Sequence, residues 1–193
     1  MTNFNFRSMS LFLALFASAS IAADDKQAQP QPTRFRVIGM FSLDRQDDLR
    51  EAMKQLPGVK LWSIDFPNAE AAIIYDLAQL FPQARPKQSF TADQIVERLD
   101  GLLRPASNHT FSLKQPSTTP KDKLTRIEIG VVGHDCKGCC LGAYEAVAKL
   151  DGVLQATVSF KEGRVIALID PAKTDKAALE AALKKAQVQL KNR

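Results

Sequence analysis

The three cysteines of this 193-residue chain stand together as Cys136-Lys137-Gly138-Cys139-Cys140. A Cys-x-x-Cys pair on a turn that opens a helix puts both sulfurs on one side. The helix N-terminus and the adjacent Lys137 favour the thiolate, which is the form that binds metal or attacks a disulfide. Thiolates select soft ions of low coordination number such as Cu(I). Two sulfurs suit linear coordination, and Cys140 would make the site trigonal. Cys140 follows Cys139 directly, so on a helix it points about 100° away and needs local unwinding to join. With His134 added to the three thiols the set would be a four-ligand Zn(II) site, although a plain loop role for His134 is favoured. Asp135 is expected to cap the helix. Gly138 lets the backbone turn. Three cysteines in one turn cannot all face one core, so burial as small apolar residues does not explain them.

The elements that must hold this turn are legible on either side of it. Thr125–Val132 alternates and is rich in β-branched residues, which predicts a strand. Gly138–Leu150 carries Leu141, Tyr144, Val147 and Ala148 at helical spacing, and Asp151-Gly152 ends it. Val153–Phe160 and Arg164–Ile169 flank the turn Lys161-Glu162-Gly163 as a hairpin. Thr174-Asp175 starts a second helix with Leu179 and Leu183 on one face. Val188-Gln189-Leu190 is a candidate last strand.

The same order occurs earlier in the chain. Shifting the sequence by 94 positions sets Phe35-Arg36-Val37-Ile38-Gly39 against Ile129-Gly130-Val131-Val132-Gly133, and Pro57-Gly58-Val59 against Asp151-Gly152-Val153. An internal repeat of this length marks two domains. The first copy predicts strands Phe35–Gly39, Lys60–Phe66 and Ala71–Tyr75, helices Asp47–Leu56 and Thr91–Leu103, and a closing strand Phe111-Ser112-Leu113. The connection Asp76–Phe90 is an insertion. Trp62 and the phenylalanines are assigned to the core. Each βαββαβ copy predicts an antiparallel sheet with two helices on one face, an α+β, ferredoxin-like arrangement. The expected division is a signal peptide over 1–23, a leader over 24–33, a first domain over 34–113, a linker over 114–123 and a second domain over 124–193.

The second copy resembles the heavy-metal-associated domain family. This is the module of copper chaperones, of the amino-terminal domains of metal-pumping ATPases and of periplasmic mercury-binding proteins. The family pattern Gly-Met-Thr-Cys-x-x-Cys stands here as Gly133-His134-Asp135-Cys136-Lys137-Gly138-Cys139, with Cys140 extra. Gly152-Val153 matches the family's glycine-valine pair after the first helix. The resemblance runs from Leu124 to Leu190 and departs at His134, Asp135, Cys140 and Gln187-Val188. It implies a non-enzymatic protein that captures Cu(I) or Hg(II), ahead of Zn(II), on Cys136, Cys139 and Cys140. A metal-transporting membrane protein or another metal-binding domain would be its partner. In the first copy Ser42, Arg45 and Gln46 replace the three cysteines, so that copy is expected to be degenerate, with Arg45 repelling a metal ion.

The amino terminus bears on compartment. Arg7, the short apolar run Leu11–Ala17 and the small-x-small site Ser20-Ile21-Ala22 read as an export signal, with an uncleaved anchor as the alternative. The expected location is periplasmic or secreted, an oxidising setting. Removing residues 1–23 takes one Arg from 26 Lys and Arg and none of 21 Asp and Glu, and the net charge of the whole chain is +5. The basic residues form no block interleaved with aromatics, so no nucleic-acid partner is expected. The apolar run Leu11–Ala17 is too short to span a bilayer comfortably, and no other stretch comes close. Two further readings stay open: a thiol–disulfide protein using Cys136 and Cys139, and an interaction protein whose thiols are vestigial.

Overall fold

A computed structural model describes residues 31–191. The signal and most of the leader expected at the amino terminus lie outside the described residues. The chain runs β1 (Thr33–Ile38), α1 (Arg45–Lys54), β2 (Val59–Asp65), β3 (Glu70–Tyr75), α2 (Leu77–Leu80), α3 (Ala92–Ala106) and β4 (Ser112–Lys114). It continues β5 (Thr125–Val132), α4 (Lys137–Ala148), β6 (Val153–Ser159), β7 (Arg164–Ile169), α5 (Lys176–Lys185) and β8 (Gln189–Leu190). Two four-stranded antiparallel sheets result, ordered β2-β3-β1-β4 and β6-β7-β5-β8. The two sheets thus have one topology, which is the ferredoxin-like arrangement written twice.

Strand alternation explains which face is covered. On β1, Phe35 and Val37 are buried, and they share a core with Leu49 and Met53 of α1 and Leu99 and Leu103 of α3. The second unit builds its core the same way, from Ile129 and Val131 with Tyr144 and Val147 of α4 and Leu179 and Leu183 of α5. Helix starts are set by side chains that satisfy otherwise unpaired N–H groups. Thr91 and Gln94 form a capping box on α3, and Asp175 accepts from Ala178 N–H on α5. The β2–β3 and β6–β7 hairpins keep the 94-residue offset to the residue. The insertion separates α3 from β3; there Asp76 caps α2, and Phe81 stacks on Phe90 with centroids 3.8 Å apart.

One core assignment is overturned. Trp62 is 61% exposed. β2 is an edge strand, and its pairing with β3 slips between Leu61 and Ser63, so Trp62 is the extra residue of a bulge and faces outward. Phe35, Phe41 and Phe111 are buried as expected, but Phe41 lies in the core of the second unit rather than the first.

That residue is the centre of the contact between the units. The loop after β1, Gly39–Asp44, is the counterpart of the cysteine loop, and it is laid against α4 and the free edge of β6. Gly39 N–H donates to the Tyr144 hydroxyl at 2.8 Å, Val158 N–H donates to Phe41 O at 2.9 Å, and Gln155 donates to Met40 O at 3.2 Å. Arg36 donates to the carbonyls of Val153 and Leu154. Gly39 has φ +103°, and a Cβ there would fall 2.0 Å from Thr110 O, so no other residue fits. The connector is tied to both units: Thr119 donates to Asp170 at 3.1 Å, and Lys121 pairs with Glu70 at 3.2 Å.

Candidate metal centre

The cysteine turn joins β5 to α4 at an exposed end of the second unit. Cys136 has extended backbone and is the N-cap of α4; its sulfur accepts the N–H of Cys139 at 3.1 Å. Asp135 does not cap the helix. Its carboxylate instead accepts from the Cys140 thiol, at 3.8 Å. Cys136 and Cys139 are joined as a disulfide, with Cα atoms 5.2 Å apart. Cys136 is exposed and Cys139 half-buried. Reduction of that bond leaves two sulfur donors on one face of the turn, at the positive end of the helix.

Cys140 is placed apart. It is a free thiol, 6% exposed, in the core with Phe41, Tyr144 and Val158. Burial pushes its pKa up, and the carboxylates of Asp135 and Asp44 add to that, against an opposing backbone hydrogen bond from Phe160. The step of about 100° between neighbours on a helix carries Cys140 inward as Cys139 stays at the surface. The structure therefore brings together two of the three expected ligands. His134 is exposed, and among the described residues no three His, Cys, Asp or Glu side chains gather around one point. Gly138 is open on its Cα side, with nothing within 4 Å of a built Cβ, whereas Gly133 is crowded by the Phe160 ring at 2.7 Å.

Three surroundings of the site were not read from the sequence. Lys137 reaches across to the first unit, 3.6 Å from Asp44 and 3.9 Å from Asp48. Asp44 is held below the usual carboxylate range, first by a hydrogen bond from Ser42 and with help from Lys137, against an opposing cost of burial. Tyr144 packs against Phe41 with centroids 6.0 Å apart. The only sequence signal for this contact was the apolar Phe41 standing where the second copy has Asp135.

Arg45, at the position of Cys139, is 7% exposed. Its guanidinium sits over the rings of Phe111 (4.5 Å) and Phe41 (5.2 Å), and it donates to Thr110 at 2.9 Å and to Asp48. Its Nε has no partner among the described residues. The first unit thus holds a covalently attached cation at the place where the second presents sulfur.

No protein-family model matches the chain. Among solved structures, the chain is similar to a CopZ metallochaperone, at 22% identity and a TM-score of 0.34, over 35% of this chain and all of that one. It is similar to oxidized MerP from Ralstonia metallidurans CH34, at 25% identity and a TM-score of 0.33, over 35% of this chain and 94% of that one. It is also similar to the N-terminal domain of a potential copper-translocating P-type ATPase from Bacillus subtilis, at 25% identity and a TM-score of 0.33, over 35% of this chain and 85% of that one. Among curated proteins it is 25% identical over 162 residues to the human copper-transporting ATPase 2, and this match takes in 78% of the chain but 11% of the ATPase. A match of that extent is too long to lie within one unit, so it runs through both copies of the repeat, in agreement with the heavy-metal-associated resemblance carried by Gly133–Cys139.

Proposed function

We propose that the protein captures a soft metal ion, Cu(I) or Hg(II), on the thiolates of Cys136 and Cys139 and passes it on by thiolate exchange. The observation that carries this reading is the position of the pair: two sulfurs at an exposed helix start, with Cα atoms 5.2 Å apart. A two-thiolate site open to solvent leaves room for an incoming thiolate from a partner, which exchange requires. Similarity to a copper-transporting ATPase favours Cu(I) as the ion and a metal-transporting membrane protein, or another metal-binding domain, as the partner. Cys140 enters the ligand set only if the first turn of α4 unwinds. Export to an oxidising compartment fits an amino-terminal signal over 1–23, a domain division at 34–113 and 124–193, and a pair that can rest as a disulfide. Among the described residues no helix is long and apolar enough to cross a membrane.

The experiment is Cu(I) competition against a chromophoric chelator with anaerobically reduced protein. Wild type is expected to bind one ion tightly. Cys136→Ser and Cys139→Ser are expected to lose it, and Cys140→Ser to keep it. Equal uptake by wild type and the Cys136→Ser/Cys139→Ser double variant would overturn the reading. The disulfide itself favours a second reading, a thiol–disulfide exchange protein. Turnover of insulin disulfides without tight Cu(I) binding would select that one.

A further inference from the structure

The two units line a cleft of about 600 Å³, which takes in Leu141 and Tyr144 of α4 but none of the three cysteines. That volume lies within the range of about 300–1,000 Å³ typical of small-molecule sites. Arg36 of β1 and Lys114 of β4 line it, and they are directly opposed partners in the antiparallel ladder, so they share one face. Like charges opposed in this way repel and destabilise the pairing. Arg104, at the end of α3, and His109 line the same space. Among the described residues none of these four has a carboxylate within 4.0 Å. The two acids that line the cleft pair with other cations: Glu145 with Lys149, itself a lining residue, at 3.3 Å, and Asp151 with Lys173 at 3.5 Å.

Exposed lysines and arginines ordinarily need no partner, since water serves them. Two residues here are not in that position. Arg36 is half-buried, and its Nε and Nη2 are spent on the carbonyls of Leu154 and Val153. Those bonds fix the guanidinium without neutralising it, and its remaining nitrogen has no protein partner among the described residues. Tyr144 is 2% exposed; its oxygen accepts from Gly39, and its proton has no acceptor among the described residues. A half-buried charge without a counter-charge and a buried hydroxyl whose proton has no protein acceptor both favour an incoming acceptor. Both line this cleft beside Arg104 and Lys114, which have no carboxylate partner among the described residues, so the space favours an anion.

We propose that the cleft between the two units binds a small polyanion carrying at least two carboxylate or phosphate groups, held by Arg36, Arg104 and Lys114 of the first unit and the Tyr144 hydroxyl of the second. Such a ligand bridges the units and fastens their docking. The inference does not depend on the metal reading, because none of these residues belongs to the cysteine turn.

The test is calorimetric titration of the metal-free, disulfide-bonded protein with citrate and, separately, with pyrophosphate, at an ionic strength held constant with sodium chloride. One saturable site is expected for at least one of them, and which one binds separates carboxylate from phosphate recognition. Arg104→Ala/Lys114→Ala spares the bonds that fix Arg36, and it is expected to weaken the site by about tenfold or more through loss of two charge-assisted contacts. Cu(I) uptake by the reduced double variant is expected to be unchanged, and Cys136→Ser/Cys139→Ser is expected to keep the anion site. Absence of saturable binding of both anions, equal binding by the Arg104→Ala/Lys114→Ala variant, or tighter binding of an acidic peptide such as hexaglutamate than of either small anion would overturn the proposal.

Discussion

Phe41→Ala tests the docking of the two units at its centre. The ring is 3% exposed, yet it belongs to the first unit by sequence and to the second by packing. Removing a buried phenylalanine side chain costs the transfer of its atoms plus a cavity term, together about 3–5 kcal/mol. How far the site collapses decides where in that range the loss falls. Here the loop is pinned on both sides of the ring, by Gly39 N–H on Tyr144 and by Val158 N–H on the Phe41 carbonyl. The backbone cannot follow the shortened side chain inward without breaking those bonds, so most of the void persists. Arg45 also loses one of its two aromatic contacts, the longer one at 5.2 Å. A loss of about 3–4 kcal/mol is expected. For a chain of this size that lowers the melting temperature by roughly 6–15 °C. The assay is urea and thermal unfolding followed by circular dichroism, together with fluorescence of Trp62, the one tryptophan, which reports on the first unit alone. If Phe41 instead lay on a free loop, the change would stay within about 0.5 kcal/mol. A measured loss under about 1 kcal/mol would refute the interdomain placement of the ring.

Four further outcomes are expected. Gly39→Ala puts a Cβ 2.0 Å from Thr110 O at φ +103°, so urea unfolding is expected to show a loss of about 2 kcal/mol or more. After reduction of the native protein, mass spectrometry with iodoacetamide is expected to count two fast alkylations, at Cys136 and Cys139, and a third only in denaturant, because Cys140 is buried and its pKa is raised. Tyr144 is held protonated mainly by burial, so its folded pKa lies above the ordinary 10.0. Its contribution to stability is complete below pH 10 and is lost as the pH climbs through the raised value; an ultraviolet titration is expected to show a late phenolate step that Tyr144→Phe removes. Asp44→Asn cuts an exposed ion pair with Lys137 and is expected to cost less than about 1 kcal/mol, with the difference from wild type shrinking in about 1 M salt.

Much of the fold was legible because both copies carry strong local periodicity. Strands Thr125–Val132 and Arg164–Ile169 were bounded to the residue by their alternation. The second helix of each copy announced itself through Thr91 and Asp175, whose side chains do cap it. The short α2 escaped because four residues show no period, and its start depends on one carboxylate, Asp76. Trp62 was misplaced because alternation assumes an unbroken ladder, and a bulge shifts the face by one residue. The site divided the same way. The pairing of Cys136 with Cys139 follows from helix geometry, and so does the divergence of Cys140. That Cys140 shares a core with a phenylalanine from the other unit does not follow from any local pattern. It depends on contacts between residues far apart in sequence, such as Gly39 with Tyr144.

The same duplicated turn presents opposite chemistry in the two units, and the side chains at one pair of positions account for the difference. Where Cys139 stands, a small side chain at the helix start leaves its sulfur half-exposed. Where Arg45 stands, a long cation has folded inward between Phe41 and Phe111, close to Thr110 and Asp48. A buried guanidinium requires aromatic faces and acceptors around it, and gathering them closes the first loop over its own helix. Phe41, beneath that guanidinium, packs in the core of the second unit. On this reasoning Arg45 helps to fix the docked pose, and this can be checked. Arg45→Cys supplies a single thiol at the helix start and removes the cation. It is expected to loosen the contact between the units, seen as faster proteolysis of the 114–123 connector. It is not expected to make the first unit bind a soft metal ion, because Ser42, at the place of Cys136, contributes no thiolate. Proteolysis of the connector at the wild-type rate would show that the docked pose does not need the guanidinium.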